Sequence, residues 1–266
     1  MQVAQSNDSA GSCPPISGEP LIEVRDLVCV IEQRPVLDGI SFKLNHREIF
    51  GVMGLSGAGK STLLRCIMGL LRPQSGHILV NGQDVTQLDE EALNAVRLRM
   101  GMSFQYSALF DSLSVYENVA FGLRRRHVPD EAIREKVAHY LEIVGMSGND
   151  HLMPAELSGG MRKRVSIARA LSTEPEVVLY DEPTSGLDPV LAATIDSLIV
   201  KLRDAFGVSS IVVTHDVEHL FTYADRVMML YQGKAVQCDT PQQLQASPHP
   251  VVKQFISGSV EGPITV

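Results

Sequence analysis

The sequence has little of what marks nucleic-acid-binding and membrane-spanning proteins. Tryptophan is absent, aromatic residues make up only 5% of the chain, and the formal net charge is -8. Domains that hold nucleic acid by general charge attraction are usually basic, so we expect no nucleic-acid partner. No apolar run approaches the ~18 residues needed to span a bilayer, so no membrane-crossing segment is predicted.

Cysteine is also scarce, and its spacing indicates no metal site. The four cysteines stand at positions 13, 29, 66 and 238, without a CxxC pair or a nearby histidine at ligand spacing. A structural zinc site and an iron–sulfur cluster are therefore not expected. The default interpretation is four free thiols in a reducing cytosol.

The two ends of the chain are predicted to be tails. Residues 1–20 are rich in Ser, Gly, Pro and Asn, which predicts a disordered lead-in. They show neither the basic region nor the apolar region of a secretory signal, and we expect none. Residues 246–266 are predicted to form a C-terminal tail, and no internal repeat or heptad pattern is found.

What the sequence does have is a series of apolar runs that end in polar residues. The runs IFGVMG, VVLYDE and SIVVTH predict buried strands of a parallel sheet covered on both faces. Between Tyr106 and Leu171 the pattern is helical. The predicted fold is a split α/β core, residues 21–105 and 172–245, with a helical insertion at 106–171.

A glycine-rich stretch follows the first of these runs. GLSGAGKST (54–62) fits G-x-x-x-x-G-K-S/T, and it follows a strand and opens a helix, as the motif requires. Amides of such a loop form a nest for phosphate, with Lys60 able to reach the β- and γ-phosphates and Ser61 able to bind Mg²⁺. The candidate nucleotide-binding residues are Gly54, Leu55, Ser56, Gly57, Ala58, Gly59, Lys60, Ser61 and Thr62.

Two acids end the second run. Asp181 comes at the carboxyl end of its strand, where ligands bind in open α/β sheets, and is a candidate Mg²⁺ ligand. Glu182 is the candidate general base for an attacking water. Without a phosphate loop in the same chain, a pair of exposed strand-end acids would be the better interpretation.

Two further polar residues follow predicted strands. His215, after SIVVT, is a catalytic candidate that could reach the γ-phosphate or position Glu182. Gln105, in MSFQYSALF, could bind the metal or the water through its amide oxygen. Taken alone, the histidine would be read as structural and the glutamine as a surface residue.

The pentapeptide LSGGM (157–161) raises a separate question, because two glycines stand where a helix begins. Ser158 is a good N-cap, and Gly159 and Gly160 leave first-turn amides uncovered for an anion. Alone, it is equally well a capped helix with a flexible start. Because the chain already has a phosphate loop, we predict a head-to-tail dimer in which LSGGM of one copy faces the ATP of the other.

Six motifs in one order resemble the nucleotide-binding subunit of ABC transporters. They are the Walker A loop GLSGAGKST, Q-loop Gln105, signature LSGGM, Walker B strand VVLYDE, D-loop SGLD (185–188) and H-loop His215. The resemblance covers about residues 21–256. It implies a RecA-like P-loop NTPase core with an N-terminal antiparallel β-subdomain, an inserted ABC-specific helical subdomain and a transport ATPase using ATP and Mg²⁺. It also implies that Asp188 communicates between the two sites.

A narrower resemblance is to the ATPases of Mla and related MCE-type phospholipid transporters. It depends on SALFDSLSVYENVAFGLR, HLMPAELSGGM and the tail VVKQFISGSVEGPI, with Met161 ending the signature. It implies permease subunits, a periplasmic MCE lipid-binding protein and a small STAS-domain partner. The ATPase would then lie on the cytoplasmic side of the bacterial inner membrane, bound through the permease. The resemblance also implies phospholipid as the cargo.

The chain departs from the ABC family pattern at two positions and resembles it in one further stretch after the Q-loop. Ile31 is the counterpart of the family's adenine-stacking aromatic, and Met161 cannot make the hydrogen bonds of the usual glutamine. The stretch YSALFDSLSVYENVAF implies a grip on a permease coupling helix, with an ordinary core loop as the alternative. For the whole chain, the alternatives are a polar-solute importer and a soluble ABC ATPase of repair, translation or scaffold work.

Overall fold

The computed structural model describes residue 13 and residues 18–265. Most of the prediction for residues 1–20 therefore lies outside the described residues. The strands are β1 (Ile22–Ile31), β2 (Arg34–Leu44), β3 (Ile49–Met53), β4 (Ser75–Val80), β5 (Gln83–Asp84), β6 (Met100–Ser103), β7 (Val177–Asp181), β8 (Ser209–Thr214), β9 (Arg226–Tyr231) and β10 (Lys234–Asp239). The helices are α1 (Lys60–Ile67), α2 (Glu90–Arg97), α3 (Val115–Arg125), α4 (Asp130–Ile143), α5 (Gly159–Leu171), α6 (Pro189–Phe206), α7 (Val217–Tyr223), α8 (Pro241–Gln245) and α9 (Pro250–Ser257).

The strands form two sheets. The first is antiparallel, in the order β2-β1-β4-β5. The second has the order β10-β9-β3-β8-β7-β6, and its strands run parallel except for the edge strand β10. The prediction of an α/β fold with an antiparallel β-subdomain and a parallel core is confirmed.

Alternating side chains of β7 show why the central sheet is buried on both faces. Val177 and Leu179 lie in one apolar cluster with Leu63 of α1, whereas Val178 and Tyr180 lie in the other with the residues of α5 and α6. All five residues of β7 are buried. A strand with two apolar faces reads as a continuous apolar run, which explains why the sequence revealed it.

Helices α3, α4 and α5 lie between β6 and β7 in the chain and pack on one another. Ser114 caps α3, because its hydroxyl accepts a hydrogen bond from the Glu117 amide at 3.2 Å. Helix α5 packs closely against β6: a Cβ on Gly101 would stand only 2.7 Å from the Ala170 carbonyl oxygen. The helical insertion therefore packs on β6, an edge strand of the parallel sheet.

The prediction of four free thiols is wrong for two of them. Cys13 and Cys238 form a disulfide across 225 positions, whereas Cys29 and Cys66 are free and buried. Burial raises the pKa of the Cys66 thiol to about 12. Two cysteines this far apart carry no spacing pattern, so only the folded chain brings them together.

The C-terminal region contains a helix where the sequence predicted a tail. Helix α9 packs on α8 and β10, and its Gln254 is buried. The Gln254 side-chain amide accepts a hydrogen bond from the Ile264 N–H at 2.7 Å and donates to its carbonyl at 3.2 Å. An eight-residue helix is too short to give a clear periodic pattern, so the sequence did not reveal it. Among the described residues, no helix combines the length and apolar character needed to cross a bilayer.

Candidate nucleotide-binding site

The parallel strands bring the predicted site residues to one edge of the sheet. β3, β7 and β8 end at Met53, Asp181 and Thr214, which lie in neighbouring register positions. A cavity of about 550 Å³ opens there. It is lined by Val36, Leu55, Ser56, Gly57, Gly59, Lys60, Ser61, Thr62, Gln105, Glu182, His215 and Phe255.

The loop before α1 needs glycine at two positions. Gly59 has a φ of 105°, and a Cβ there would stand 2.7 Å from the Val36 carbonyl oxygen. At Gly54 a Cβ would stand 2.2 Å from the Leu230 carbonyl oxygen. Helix α1 begins at Lys60 without a side-chain cap. Its first-turn amides therefore remain available to an anion.

The ammonium group of Lys60 lies inside this loop. Its Nζ donates hydrogen bonds to the carbonyl oxygens of Gly54, at 2.8 Å, and Leu55, at 3.0 Å. The Glu182 Oε1 lies 3.6 Å away. Burial lowers the pKa of Lys60, and the carboxylates of Glu182 and Asp181 oppose that shift. The loop thus holds a cation where phosphate oxygens would approach.

Asp181 and Ser61 form a second contact within the site. The Ser61 hydroxyl donates to the Asp181 Oδ1 at 2.9 Å, joining the end of β7 to the first turn of α1. Burial raises the pKa of Asp181, while the Ser61 hydrogen bond lowers it. Hydroxyl and carboxylate oxygens are the hard ligands that Mg²⁺ takes in proteins.

Glu182 follows Asp181 in an uncommon backbone conformation. Its φ is 48°, in the left-handed region, and its N–H donates to the Val213 carbonyl at 2.9 Å. Glu182 is buried, at 7% exposure, and its carboxylate reaches His215, whose Nδ1 lies 2.8 Å from Oε2. The His215 ring itself is exposed. The imidazole therefore contacts the carboxylate through Nδ1, while much of the ring remains exposed to solvent.

Gln105 lies two residues after β6 and is half-buried, with its side chain on the cavity. The structure thus brings together the predicted residues of the phosphate loop, the two acids, Gln105 and His215.

The segment after Gln105 has an unusual backbone, because Ser107 and Ala108 both have positive φ. Arg169 of α5 donates to both of their carbonyls, at 3.0 Å and 2.7 Å.

The signature residues lie outside this cavity. The Ser158 hydroxyl caps α5 and accepts a hydrogen bond from the Met161 amide at 3.3 Å. Ser158 and Gly159 are exposed, and Gly160 packs against α6, where a Cβ would stand 3.2 Å from Leu191. Neither these residues nor Asp188 line the cavity of their own chain. Asp188 is exposed and caps α6 by accepting from the amides of Val190 and Leu191.

The residue predicted to contact adenine, Ile31, does not line the cavity. It stands at the end of β1 and is 38% exposed. Val36 of β2 and Phe255 of α9 line it, and sequence reasoning missed both. Phe255 lies in the C-terminal stretch VVKQFISGSVEGPI, far along the chain from the phosphate loop and the two acids, and nothing in that stretch marks it as a cavity residue. Val36 is the third residue of β2, which begins at Arg34 after the turn at residues 32 and 33.

The comparisons with known proteins fit this geometry. A family model described as "ABC transporter" matches residues 37–185, more than half of the chain. The chain belongs to the ABC transporter family. This confirms the resemblance drawn from the six motifs.

Individual relatives of this ABC transporter chain match over most of its length. It is 42% identical over 245 residues to the intermembrane phospholipid transport system ATP-binding protein MlaF of Haemophilus influenzae, covering 92% of this chain and 93% of that protein. It is 40% identical to the methionine import ATP-binding protein MetN of Carboxydothermus hydrogenoformans, covering 83% of this chain and 66% of that protein.

A solved structure of similar fold is dimeric. An ATP-binding cassette in a post-hydrolysis state, bound to ADP and Pi, matches with a TM-score of 0.77 at 28% identity, covering 83% of this chain and 98% of that one. That cassette of similar fold is thus a nucleotide-bound dimer.

Proposed function

We propose that this ABC transporter chain is the ATP-hydrolysing subunit of a system that moves phospholipid between bacterial inner and outer membranes. One observation carries the ATPase assignment: a single cavity joins a cation-bearing glycine loop to a buried carboxylate that is tied to a histidine. The similarity to MlaF over nearly the whole of both chains supports phospholipid as cargo.

In this proposal each residue has a defined role toward ATP. The loop amides and the Lys60 ammonium bind the β- and γ-phosphates. The Glu182 carboxylate accepts the proton of the attacking water, while His215 holds that carboxylate in place and can reach the γ-phosphate. Gln105 orients the water or the metal through its amide oxygen. Glu182 is well placed for this role because its carboxylate lines the cavity.

The residues present fit a magnesium ion bound together with ATP. In the described part of the chain, no group of three His, Cys, Asp or Glu residues could hold a metal ion by itself. Mg²⁺ in nucleotide sites typically takes one or two protein oxygens and completes its shell with phosphates and waters. Ser61 and Asp181 would supply those oxygens, and Gln105 would lie alongside. The bound ion would neutralise charge on the phosphates.

A second copy of the chain completes the site. The exposed helix start at Ser158 and Gly159 offers amides and a hydroxyl that do not face their own cavity. In a head-to-tail dimer these groups, with Gly160, would meet the γ-phosphate bound by the partner, as the macrodipole of α5 favours an anion there. Asp188 would lie close to the same interface. The dimeric cassette of similar fold supports this arrangement.

The segment after Gln105 provides a surface for a membrane permease. Tyr106 is 88% exposed, and the partly exposed rings of Phe110 and Phe121 contact each other, with centroids 4.6 Å apart and planes tilted by 42°. Such an exposed apolar group is typical of an interaction site. We place the permease coupling helix here, which would hold the subunit at the cytoplasmic side of the inner membrane. An MCE lipid-binding protein and a STAS-domain protein complete the proposed system.

Purification of the assembled complex from its native membrane tests this function. The tagged chain would be extracted in detergent, its partners identified by mass spectrometry, and its lipids extracted and analysed. We expect permease subunits, the MCE and STAS partners, and phospholipid bound to the complex. A chain that recovers no permease, or that does not hydrolyse ATP in the complex, would contradict the proposal.

A methionine or other polar-solute importer is the second candidate, because MetN is also 40% identical. The two differ in which molecule raises the ATPase rate. The complex, reconstituted in vesicles, would be assayed with added methionine and with vesicles of different phospholipid content. Stimulation by methionine alone would favour the importer, whereas dependence on phospholipid would favour lipid transport.

A further inference from the structure

Helix α5 carries a buried lysine two residues after the signature. Lys163 is 5% exposed, five positions after Ser158. Its Nζ donates hydrogen bonds to the backbone carbonyl of Glu182, at 3.0 Å, and to that of Gln105. A single ammonium group thus bonds the signature helix to the backbones of two residues of the candidate site.

The Lys163 ammonium group is buried, so its hydrogen bonds are needed to offset the loss of hydration. Taking a charge out of water is costly unless hydrogen bonds compensate, and here two backbone carbonyls do so. Burial lowers the pKa of Lys163 to about 8, although the nearby Asp181 and Glu182 carboxylates favour the charged form. A long apolar side chain would fill the same space without the desolvation cost, so packing alone does not explain a lysine.

The backbone of Glu182 is where these contacts have most effect. A non-glycine residue with φ of 48° is strained, and such a conformation persists when the surroundings hold it. The peptide groups on both sides of Glu182 are held: its N–H by the Val213 carbonyl of β8, and its carbonyl by Lys163 of α5. That backbone conformation points the carboxylate toward Lys60 and His215.

We propose that Lys163 is a positioning residue, which fixes the Glu182 backbone, and with it the general-base carboxylate, relative to Gln105 and the signature helix. This inference rests on the proposed ATPase function. It adds that α5, whose start is proposed to face the partner's nucleotide, is bonded through one side chain to the backbone carbonyls of Glu182 and Gln105 of its own chain. Because a displacement of about 1 Å can cost 10²-fold in rate, losing this bond should slow the chemistry without touching ATP.

Lys163→Met is the direct test, since methionine keeps a long unbranched chain but has no donor. We expect kcat of the purified protein to fall at least about tenfold, whereas KM for ATP and nucleotide affinity change by less than about twofold. Lys201→Met is the matched control, because Lys201 is exposed on α6. It should leave both parameters and the melting temperature unchanged.

A double variant separates positioning from general structural support. In a Glu182→Gln background the base is already lost, so adding Lys163→Met should lower the single-turnover rate no further. A further drop, or a loss of nucleotide affinity in the single variant, would show a structural role and overturn the proposal. A kcat within twofold of the parent would overturn it as well.

If Lys163→Met does not give a cooperative melt, Lys163→Gln decides. Its amide retains a donor, but that nitrogen stands one bond closer to the backbone than the lysine Nζ, so we expect a kcat between those of the parent and a Glu182→Gln chain, with KM unchanged. A parental kcat in that variant would contradict the proposal. Failure of the parent itself to hydrolyse ATP would instead overturn the proposed function, which keeps the two outcomes distinct.

Discussion

The Nδ1 of His215 lies 2.8 Å from the Oε2 of Glu182, although 33 positions separate the two residues in the chain. They meet because β7 and β8 are parallel neighbours whose carboxyl ends share one edge of the sheet. The contact joins the candidate base to an exposed ring that faces the cavity. The chemistry proposed for this chain therefore depends on a strand order that no local pattern specifies.

Glu182→Gln should retain ATP binding but nearly stop hydrolysis. The amide can keep a hydrogen bond to His215 but cannot accept the proton of water, a loss on the order of 10²–10⁴-fold. With ATP bound and not cleaved, the chain should be trapped as a dimer, which light scattering would detect. Hydrolysis at the parental rate would show that another residue is the base.

Lys60→Ala should weaken nucleotide binding. The ammonium lies in the glycine loop at hydrogen-bond distance from its carbonyls, where the phosphates are expected. Removing a charge-assisted contact of this kind should lower affinity tenfold or more, about 1.4 kcal/mol per factor of ten. Titration calorimetry with ATP measures this directly, with Lys201→Ala as control. Equal affinity in the two variants would refute the role of Lys60.

Ser158→Arg should spare ATP binding by the single chain but prevent dimer closure. The residue is exposed at the start of α5, so a large side chain fits the monomer and obstructs a partner at the same surface. In the Glu182→Gln background we expect no ATP-dependent dimer by light scattering. Ser147→Arg, at another exposed position, should still dimerise. Normal hydrolysis by Ser158→Arg would argue against a site shared between copies.

Glu23→Gln should flatten the loss of stability in acid. A hydrogen bond from Arg25 lowers the pKa of Glu23 to about 2, with Lys43 contributing. A carboxyl with a depressed folded-state pKa stabilises the protein above its unfolded pKa of ~4.3 and loses that contribution as pH falls toward 2. The melting temperature of the parent should therefore drop more steeply between pH 4.5 and 2 than that of Glu23→Gln. Glu142→Gln, at an exposed position, should follow the parent.

The Cys13–Cys238 bond should be recovered by mapping the unreduced protein. We expect a cross-linked peptide containing both residues, while Cys29 and Cys66 react with an alkylating reagent only after unfolding, because both are buried. Alkylation of Cys13 and Cys238 in the native, unreduced protein would contradict this pairing. The sequence alone predicted free thiols at all four positions.

The parts of the site that were predictable share a local origin. Lys60 and Ser61 stand in a loop whose glycines, strand and helix are contiguous, so a short window contains the whole phosphate cradle. Asp181 and Glu182 end an apolar run that marks a buried strand. Phe255 and Lys163 gave no such signal, because their importance depends on contacts across more than one element.

By itself, the sequence determined the family, the α/β class and most of the residues that surround the nucleotide cavity, because these follow from contiguous motifs and from apolar periodicity. Only the tertiary structure decided which distant groups meet: His215 with Glu182, Lys163 with the Glu182 backbone, and Cys13 with Cys238. Such contacts depend on strand order and helix docking. Strand order and helix docking are determined jointly by the many side chains of two apolar clusters. No short stretch of sequence therefore specifies such contacts.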